Sequence, residues 1–202
     1  LALYWLLPID KLGHFEWVLT IVMFLAMIGD LGLSAALVQL KDANDAHFDT
    51  AFWANLVWGL LITGCIFTAT PILAALLGGE DPETFARVLY IFCLLIPFAS
   101  VSGLFRARLQ RDLDFSAIAL SELVSVLTFG LSVSLLFLLR SELGVLVPVF
   151  ASVCREAGLL CSLAFSARWR PRARFQPSPL RQLLSFALNF TGARAVAYAN
   201  TK

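Results

Sequence analysis

Six long apolar stretches constrain the fold more than any other feature of this sequence. They run approximately over residues 15–39, 51–78, 85–105, 115–139, 143–167 and 183 to the end. A helix that crosses the roughly 30 Å hydrocarbon core of a bilayer needs about 20 mostly apolar residues. Each stretch meets that length or nearly does, and the run over 131–139 lacks the alternating polarity of a membrane barrel strand. The sequence therefore predicts an all-α, polytopic membrane helix bundle.

Composition excludes the main alternatives to a membrane protein. Of the 202 residues, 59% are hydrophobic and 14% are charged, whereas soluble domains have roughly 45 to 50% apolar and about 25% charged residues. The 17 Phe and 5 Trp residues belong to types that disordered chains lack. A net charge of +1 creates no overall field that would attract nucleic acid. We therefore expect neither a water-soluble globule nor a disordered chain.

Both ends of the chain fall inside apolar segments. The sequence begins at Leu1, in an apolar stub that ends near Leu7, and stops at Lys202, within the last apolar stretch. The stub has neither a charged amino-terminal region nor a small-residue cleavage site, so we interpret it as the end of a helix rather than a signal peptide. We expect the chain to be a fragment of a longer protein.

The distribution of Lys and Arg predicts the orientation of the bundle, because short loops rich in these residues stay in the cytoplasm. When alternate connections are assigned to opposite sides, nine basic residues share one side and three lie on the other. The nine are Lys41, Arg106, Arg108, Arg111, Arg168, Arg170, Arg172, Arg174 and Arg181, and the three are Lys11, Arg87 and Arg140. The arginine-rich connections are therefore expected to be cytoplasmic.

Five ionisable residues fall within the apolar stretches, namely Asp30, Glu122, Arg155, Glu156 and Arg194. A charged side chain at mid-membrane costs about 2.5 to 3.5 kcal/mol by insertion scales, so such residues usually face a bundle interior or water. Arg155 lies at the midpoint of its stretch, and Arg194 lies roughly 17 Å along its own. Arg155 and Glu156 are sequence neighbours that point about 100° apart on a helix, so each needs a partner elsewhere.

Two interpretations of these charges remain open at the level of sequence. In the first, they form ion pairs between helices and hold the bundle together. In the second, they line a hydrated cavity, where Arg155, Arg194 and Glu156 are the candidate substrate-binding residues because a planar guanidinium suits phosphate. Asp30 and Glu122 are then the candidates for coupling transport to a cation or proton.

Neither a metal site nor a cofactor is expected. Four cysteines lie within apolar stretches with no C-x-x-C spacing, and these are Cys65, Cys93, Cys154 and Cys161. His14 and His47 fall in connections on opposite sides of the predicted bundle.

Three prolines, Pro71, Pro97 and Pro148, lie inside apolar stretches, where a proline removes an intrahelical hydrogen bond and can bend the helix.

The connection over 168–182 places Arg at every second position from Arg168 to Arg174, with Trp169 and Phe175 among the intervening residues. An extended segment of this pattern has one cationic and one apolar side. We expect Arg168, Arg170, Arg172, Arg174 and Trp169 to contact the inner leaflet, since anionic lipids attract basic segments. Basic residues interleaved with aromatics also bind single-stranded nucleic acid, but the short connection between two spans makes a membrane anchor the preferred interpretation.

Four short motifs resemble those of one membrane transport family. They are Asp30-Leu-Gly-Leu-Ser-Ala-Ala-Leu-Val-Gln39, Thr50-Ala-Phe-Trp53, Leu109-Gln-Arg-Asp-Leu-Asp-Phe115 and Arg168-Trp-Arg-Pro171. In this order and spacing they resemble the polysaccharide transport family, whose members include lipopolysaccharide, O-antigen and exopolysaccharide flippases. That family belongs to the multidrug/oligosaccharidyl-lipid/polysaccharide flippase superfamily. The resemblance covers nearly the whole chain.

The resemblance implies a two-lobed transporter of which this chain is one part. Residues 1–167 would form the first transmembrane lobe, 168–182 the cytoplasmic connection, and 183–202 the beginning of the second lobe. The implied function is to flip an undecaprenyl-diphosphate-linked oligosaccharide across the bacterial inner membrane, without enzymatic chemistry. Expected partners are that lipid-linked oligosaccharide, membrane lipids and the polysaccharide assembly machinery, with no nucleic acid.

Two alternatives stay open beside the flippase. A cation-coupled multidrug antiporter of the same superfamily would bind cations through acidic residues such as Asp30 and Glu122. An integral-membrane polysaccharide polymerase or ligase would usually carry His, Asp or Arg in a sizeable extracytoplasmic loop. The loops between the apolar stretches are only a few residues long on that side, so the enzyme is the less favoured alternative.

Overall fold

The computed structural model describes residues 30, 32–79, 81–139, 144 and 146–185. Helices α1 to α6 span Leu33–Gln39, Asp45–Leu77, Pro82–Phe92, Leu95–Arg111, Phe115–Leu139 and Leu146–Ser166. Residues 177–185 are also helical and are called α7. None of the described residues forms a strand. Most of the apolar stretches over 15–39 and 183–202 lies outside the described residues.

Within the described residues, four helical segments are long and apolar enough to cross a membrane. They are α2, the pair α3 and α4 taken together, α5, and α6. The predicted all-α, polytopic helix bundle is confirmed. Helix α2 begins six residues earlier than the stretch over 51–78 suggested, because the Asn44 side chain accepts hydrogen bonds from the backbone N–H groups of Ala46 and His47.

The segment from Pro82 to Arg111 is interrupted in its middle, at Cys93 and Leu94. Pro97 lies four residues after Cys93, and a proline ring clashes with the carbonyl four residues before it. The Cys93 carbonyl accepts hydrogen bonds from the Ile96 N–H and from the Thr63 hydroxyl of α2, both at 3.2 Å. The helix is therefore interrupted near Pro97, and a neighbouring helix supplies one of the two donors to the carbonyl at the break.

The other two intramembrane prolines do not break their helices. Pro148 falls in the first turn of α6, where no intrahelical N–H is required. Pro71 lies inside α2, which continues past it to Leu77. Of the three prolines, only Pro97 lies next to an interruption of its helical segment.

Small residues let the helices approach closely at two crossings. A methyl group at Gly103 of α4 would lie 2.8 Å from the Ser34 hydroxyl of α1. A methyl group at Gly158 of α6 would lie 2.8 Å from the Thr128 hydroxyl of α5. A side chain at either position would force the facing hydroxyl group or the helix itself to shift, because real Cβ atoms essentially never come so close to another atom.

Helix α5 lies at the edge of the described bundle. Its large exposed apolar side chains are Phe115, Leu120, Leu123, Val126, Leu127, Leu131, Leu135, Phe137, Leu138 and Leu139. Only Ser121 and Ser125 are buried along its length. Helix α5 thus turns a polar seam toward the bundle and an apolar surface away from it, as a helix in contact with lipid does.

The turn between α4 and α5 is built by the third motif. The N–H of Asp114 bonds the Leu109 carbonyl at 2.9 Å, and the N–H of Leu113 bonds the Gln110 carbonyl at 3.1 Å. This pattern closes the end of α4 with Leu113 in a left-handed conformation, at φ 55°. Asp114 then accepts hydrogen bonds from the Ala117 N–H and the Ser116 hydroxyl, which hold the pKa of this carboxyl below its usual value.

Replacement of Leu113 with glycine should stabilise the protein by about 0.5 to 1 kcal/mol. The left-handed conformation costs a non-glycine residue about 1 to 2 kcal/mol, and the added entropy of glycine in the unfolded chain offsets part of that gain. Thermal unfolding of the purified protein in detergent measures the effect. The matched control is Leu120→Gly inside α5, which should lower the stability by about 1 kcal/mol. Equal losses in both variants would contradict this account of Leu113.

Candidate functional site

Charged side chains from three helices meet inside the bundle. Arg106 of α4 forms an ion pair with Glu122 of α5. Glu156 of α6 lies within hydrogen-bonding reach of the Ser102 hydroxyl and within electrostatic range of Arg155, Arg106 and Glu122. We call Arg106, Glu122, Arg155 and Glu156 the charged cluster. It brings together three of the five intramembrane charges identified in the sequence and adds Arg106.

Sequence analysis placed Arg106 in a cytoplasmic connection, but α4 continues to Arg111. Arg106 therefore lies on the helix, one turn after Ser102. Its guanidinium is about one third exposed, and the Glu122 carboxylate is 39% exposed. Glu122 is 16 residues away along the chain, so no local spacing revealed the pair. The only sequence signal for this pair was the position of Arg106 directly after an apolar stretch.

Arg155 differs from Arg106 in its contacts. It lies near the middle of α6, roughly 14 Å from Leu146 along the helix axis. Its side chain is half-buried, and within the described part of the chain it forms neither a hydrogen bond nor an ion pair. Helical spacing places Arg155 on the same face as Gly158 and Ser162, three and seven residues later.

That face of α6 meets a polar seam on α5. The Ser162 hydroxyl donates a hydrogen bond to the Ser121 hydroxyl at 3.0 Å. One level further along, Gly158 packs against Thr128. Small and hydroxyl-bearing residues therefore separate these two apolar helices, and the seam leads along α6 toward Arg155. Such a seam accommodates polar groups better than packed leucines would.

Asp30 lies apart from the charged cluster, although α4 touches both. Its carboxylate accepts hydrogen bonds from the Ser34 hydroxyl at 2.6 Å and from the Asn55 side-chain amide at 2.8 Å. The same Asn55 amide group also donates to the Ser100 carbonyl at 3.1 Å. Asp30 also lies 3.6 Å from where a methyl group at Gly103 would be, one helical turn before Arg106. The carboxylate is thus held by neutral donors rather than by an arginine.

The ion pair between Arg106 and Glu122 should show non-additive energetics. Arg106→Gln should cost about 1 to 2 kcal/mol, because it leaves the Glu122 and Glu156 carboxylates near each other with no cation between them. Glu122→Gln should cost less, since Arg106 stays near Glu156. A double-mutant cycle by thermal unfolding checks the coupling, and the doubly substituted protein should be more stable than the sum of the single losses predicts. Simple additivity would contradict the pairing.

The last candidate cavity residue, Arg194, lies outside the described residues. His47, expected in a loop, falls in the first turn of α2. Its ring nitrogens lie 2.8 Å from the Asn44 side-chain oxygen and 3.1 Å from the Gln182 side-chain oxygen. His47 therefore has side-chain partners of its own, and within the described ranges no group of three or more His, Cys, Asp or Glu side chains is arranged to hold a metal ion.

At one end of the bundle, the segment over 169–182 packs against residues 47–53 of α2, and we call this contact the clasp. Trp169 is its centre, with 4% of its surface exposed. The indole ring lies 5.6 Å from the Phe48 ring and 5.4 Å from the Phe105 ring, between centroids. Its N–H donates a hydrogen bond to the buried Asp49 carboxylate at 3.1 Å.

Backbone hydrogen bonds fix the rest of the segment on α2. Arg172 uses both of its main-chain groups: its N–H donates to the Asp49 carboxylate at 3.1 Å, and its carbonyl accepts from the Trp53 indole at 2.9 Å. The Gln176 N–H donates to the Thr50 hydroxyl at 3.2 Å. The connection is therefore a folded part of the bundle over these residues.

The clasp corrects the expected membrane contact of Trp169. A tryptophan flanked by arginines was expected at the inner leaflet, but its ring is buried because Asp49 supplies an acceptor inside an aromatic cluster. Arg170 also has a structural partner, since its guanidinium donates to the Ala167 carbonyl at 2.8 Å and to the Ala164 carbonyl at the end of α6. The side chains of Arg168, Arg172 and Arg174 are exposed.

The four sequence motifs meet at this end of the molecule. The second and fourth motifs form the clasp. In the third, the Arg111 guanidinium donates to the carbonyls of Leu37 and Lys41, at 2.9 and 3.0 Å, and so closes the end of α1, which carries most of the first motif. The four motifs therefore contribute to one structural junction, formed by the clasp and the ends of α1 and α4.

The model of the polysaccharide biosynthesis protein family matches residues 3–202. The chain belongs to this family. The match extends over both the clasp and the charged cluster, and it confirms the membership that the four motifs indicated. Together with the four apolar helical segments of the described residues, it identifies a multi-pass membrane protein of this family.

Three similar proteins are also named for polysaccharide biosynthesis. The chain is 31% identical over 186 residues to the succinoglycan biosynthesis transport protein ExoT of Rhizobium meliloti, covering 91% of this chain and 36% of ExoT. It is 26% identical over 176 residues to the teichuronic acid biosynthesis protein TuaB of Bacillus subtilis, covering 86% of this chain and 35% of TuaB. It is 24% identical over 109 residues to the lipopolysaccharide biosynthesis protein WzxC of Escherichia coli, covering 54% and 22%. No solved structure matches the chain.

The chain thus spans about a third of the length of the curated relatives it matches most extensively. The relatives' names refer to succinoglycan, teichuronic acid and lipopolysaccharide, which are different polysaccharides. Family membership therefore leaves the saccharide open.

Proposed function

We propose that the protein to which this chain belongs flips a lipid-linked oligosaccharide across the bacterial inner membrane during polysaccharide export. The substrate would be an undecaprenyl-diphosphate-linked repeat unit. Its diphosphate and sugars are excluded by hydrocarbon, so they need a hydrated, charge-lined passage, while the prenyl tail stays in lipid. No bond is made or broken in this process.

The observation that carries the proposal is the state of Arg155. An arginine in the middle of an apolar helix is costly to keep. Arg155 has no ion-pair partner among the described residues, whereas Arg106 is paired with Glu122. A guanidinium that interacts with the neighbouring Glu156 carboxylate only at longer range, and has no contact partner in the described part of the chain, is suited to bind a group that arrives from outside, and a diphosphate matches its planar fork. The Glu156 carboxylate lies beside Arg155 and would repel the bound diphosphate, which would favour release of the substrate.

The proposed roles of the remaining candidates follow from their contacts. Asp30 is bound by neutral donors, which leaves it free to take up a proton or cation. Glu122 already has a cationic partner, so a coupling role for it requires that Arg106 move toward Glu156. Arg194 is proposed as a second cationic group in the cavity from its position in the sequence alone.

The proposed division of the chain follows the resemblance. Residues 1–167 would form most of a first lobe, 168–182 the connection, and 183–202 the start of a second lobe. The cavity would then lie between the two lobes, and the polysaccharide assembly machinery would receive the flipped substrate. The clasp would hold the connection on the first lobe while the lobes move.

The full-length protein reconstituted in vesicles would test the function. A fluorescent lipid-linked oligosaccharide is placed in one leaflet, and its appearance in the other leaflet is followed by accessibility of the sugar to an impermeant quencher. Protein-dependent movement of the lipid-linked sugar, and none of a free oligosaccharide, is the expected result. If the same vesicles instead exported a fluorescent organic cation, the multidrug antiporter would replace the flippase. Sugar-chain elongation in the vesicles would indicate a polymerase.

A further inference from the structure

Three arginines of the connection present their charges outward from a fixed backbone. Arg168, Arg172 and Arg174 are exposed, and within the described part of the chain their guanidinium groups form no ion pair or hydrogen bond. Phe175, which follows them, is 56% exposed. An aromatic ring next to exposed cations is a surface of mixed character, with an apolar part and a charged part side by side.

The clasp holds this surface in place. Arg172 is anchored through both main-chain groups, to Asp49 and Trp53, and the Arg174 N–H bonds the Arg172 carbonyl at 2.7 Å. The segment begins two residues after the membrane-spanning helix α6 ends at Ser166. The three arginines therefore follow the end of a membrane-spanning helix by only a few residues. Because their backbone is already fixed, little conformational freedom is lost when they bind a ligand.

The charges around this surface leave it cationic. Arg168 lies within electrostatic range of the Asp114 carboxylate. Arg181 is also exposed and adds a further positive charge. The adjoining turn between α4 and α5 also exposes Asp112, which is paired with Arg108. Leu113 of this turn and Phe115 at the start of α5 are 73% and 60% exposed. Cations flanked by exposed apolar side chains match the boundary between headgroups and acyl chains.

We propose that Arg168, Arg172 and Arg174, with Phe175 beside them, form a preorganised contact surface for anionic phospholipid headgroups of the inner leaflet. Phosphodiester groups bind the guanidiniums, and Phe175 enters the acyl boundary. Membrane lipid, rather than the transported substrate, is the occupant, because the surface lies outside the helix bundle and on the end predicted to be cytoplasmic. The inference is independent of the transport activity.

Lipid titration of the full-length protein in detergent tests the surface, with native mass spectrometry to count bound lipids. Phosphatidylglycerol should bind more tightly than phosphatidylcholine. Replacement of Arg168, Arg172 and Arg174 together with Gln should abolish that preference, with a loss on the order of a hundredfold in phosphatidylglycerol affinity, at about fivefold for each arginine. Replacement of the same three residues with Lys should retain most of the preference, because the charge is kept.

The matched control is Arg87→Gln, which removes an exposed arginine near the predicted opposite end of the bundle and should leave the lipid preference unchanged. Unchanged phosphatidylglycerol affinity in the triple Gln protein would overturn the proposal, as would equal losses in the Gln and Lys proteins. If the triple Gln protein fails to fold, the wild type decides the matter. Its preference should weaken as salt is raised, and a salt-independent preference would overturn the proposal.

Discussion

Substitution of Arg155 with alanine should reduce transport of the lipid-linked oligosaccharide on the order of a hundredfold. The loss follows because a diphosphate in the cavity would lack its charge-assisted hydrogen bonds, and removal of one partner from such a pair costs about 2 to 5 kcal/mol. Arg155→Lys should be intermediate, with about a tenfold loss, since it keeps the charge without the planar fork. The vesicle assay with the full-length protein measures both rates.

Stability separates this role from a structural one. If Arg155 bound a carboxylate in the folded protein, its removal would lower the melting temperature, as expected for Arg106→Gln. An unpaired arginine in an apolar helix should instead be removed with no loss of stability, or with a small gain. Arg87→Ala is the control for removal of an arginine outside the charged cluster and should transport normally. Full transport activity in Arg155→Ala would reject the cavity assignment.

Trp169→Ala should cause the largest loss of stability among single substitutions in the clasp, about 3 to 5 kcal/mol. The indole ring is buried against Phe48 and Phe105, and its removal leaves a cavity and removes one donor from the buried Asp49 carboxylate. Trp169→Phe keeps most of the ring packing and loses the hydrogen bond, so it should cost about 1 to 2 kcal/mol. Thermal unfolding in detergent ranks the variants.

Phe175→Ala is the matched control for the clasp. It removes an aromatic ring from the same segment, but that ring is exposed, so the change should stay within about 0.5 kcal/mol. Equal losses for Trp169→Ala and Phe175→Ala would mean that the segment is not held by the indole. A clasp variant that stays folded but transports slowly would support the proposed link between the connection and lobe movement.

The sequence predicted the helices well because each apolar stretch is a local signal. The stretch over 115–139 coincides with α5. The start of α2 was placed too late, since the Asn44 cap extends the helix into a polar region that hydropathy reads as a loop. The end of α4 was placed too early, because polar residues such as Arg106 continue the helix beyond its apolar part and hydropathy does not detect them as helical.

Sequence patterns could not predict contacts between residues that are far apart along the chain. Trp169 and Asp49 are 120 residues apart, so nothing near Trp169 signalled that its ring would be buried. Arg155 was identified because its depth depends only on its place within one helix. The motifs indicated the family, yet they build the junction at the clasp and the ends of α1 and α4.

The hydrogen bond from Thr63 to the Cys93 carbonyl ties two spans together at the depth where water is scarce. If α2 slid along its neighbour by a single turn, that oxygen would lose its donor on α2 and keep only the bond from the Ile96 N–H at 3.2 Å, at a cost of about 1 kcal/mol. Movement of the two spans as one unit keeps the bond between them, so a rearrangement that opens the protein is favoured at other helix contacts.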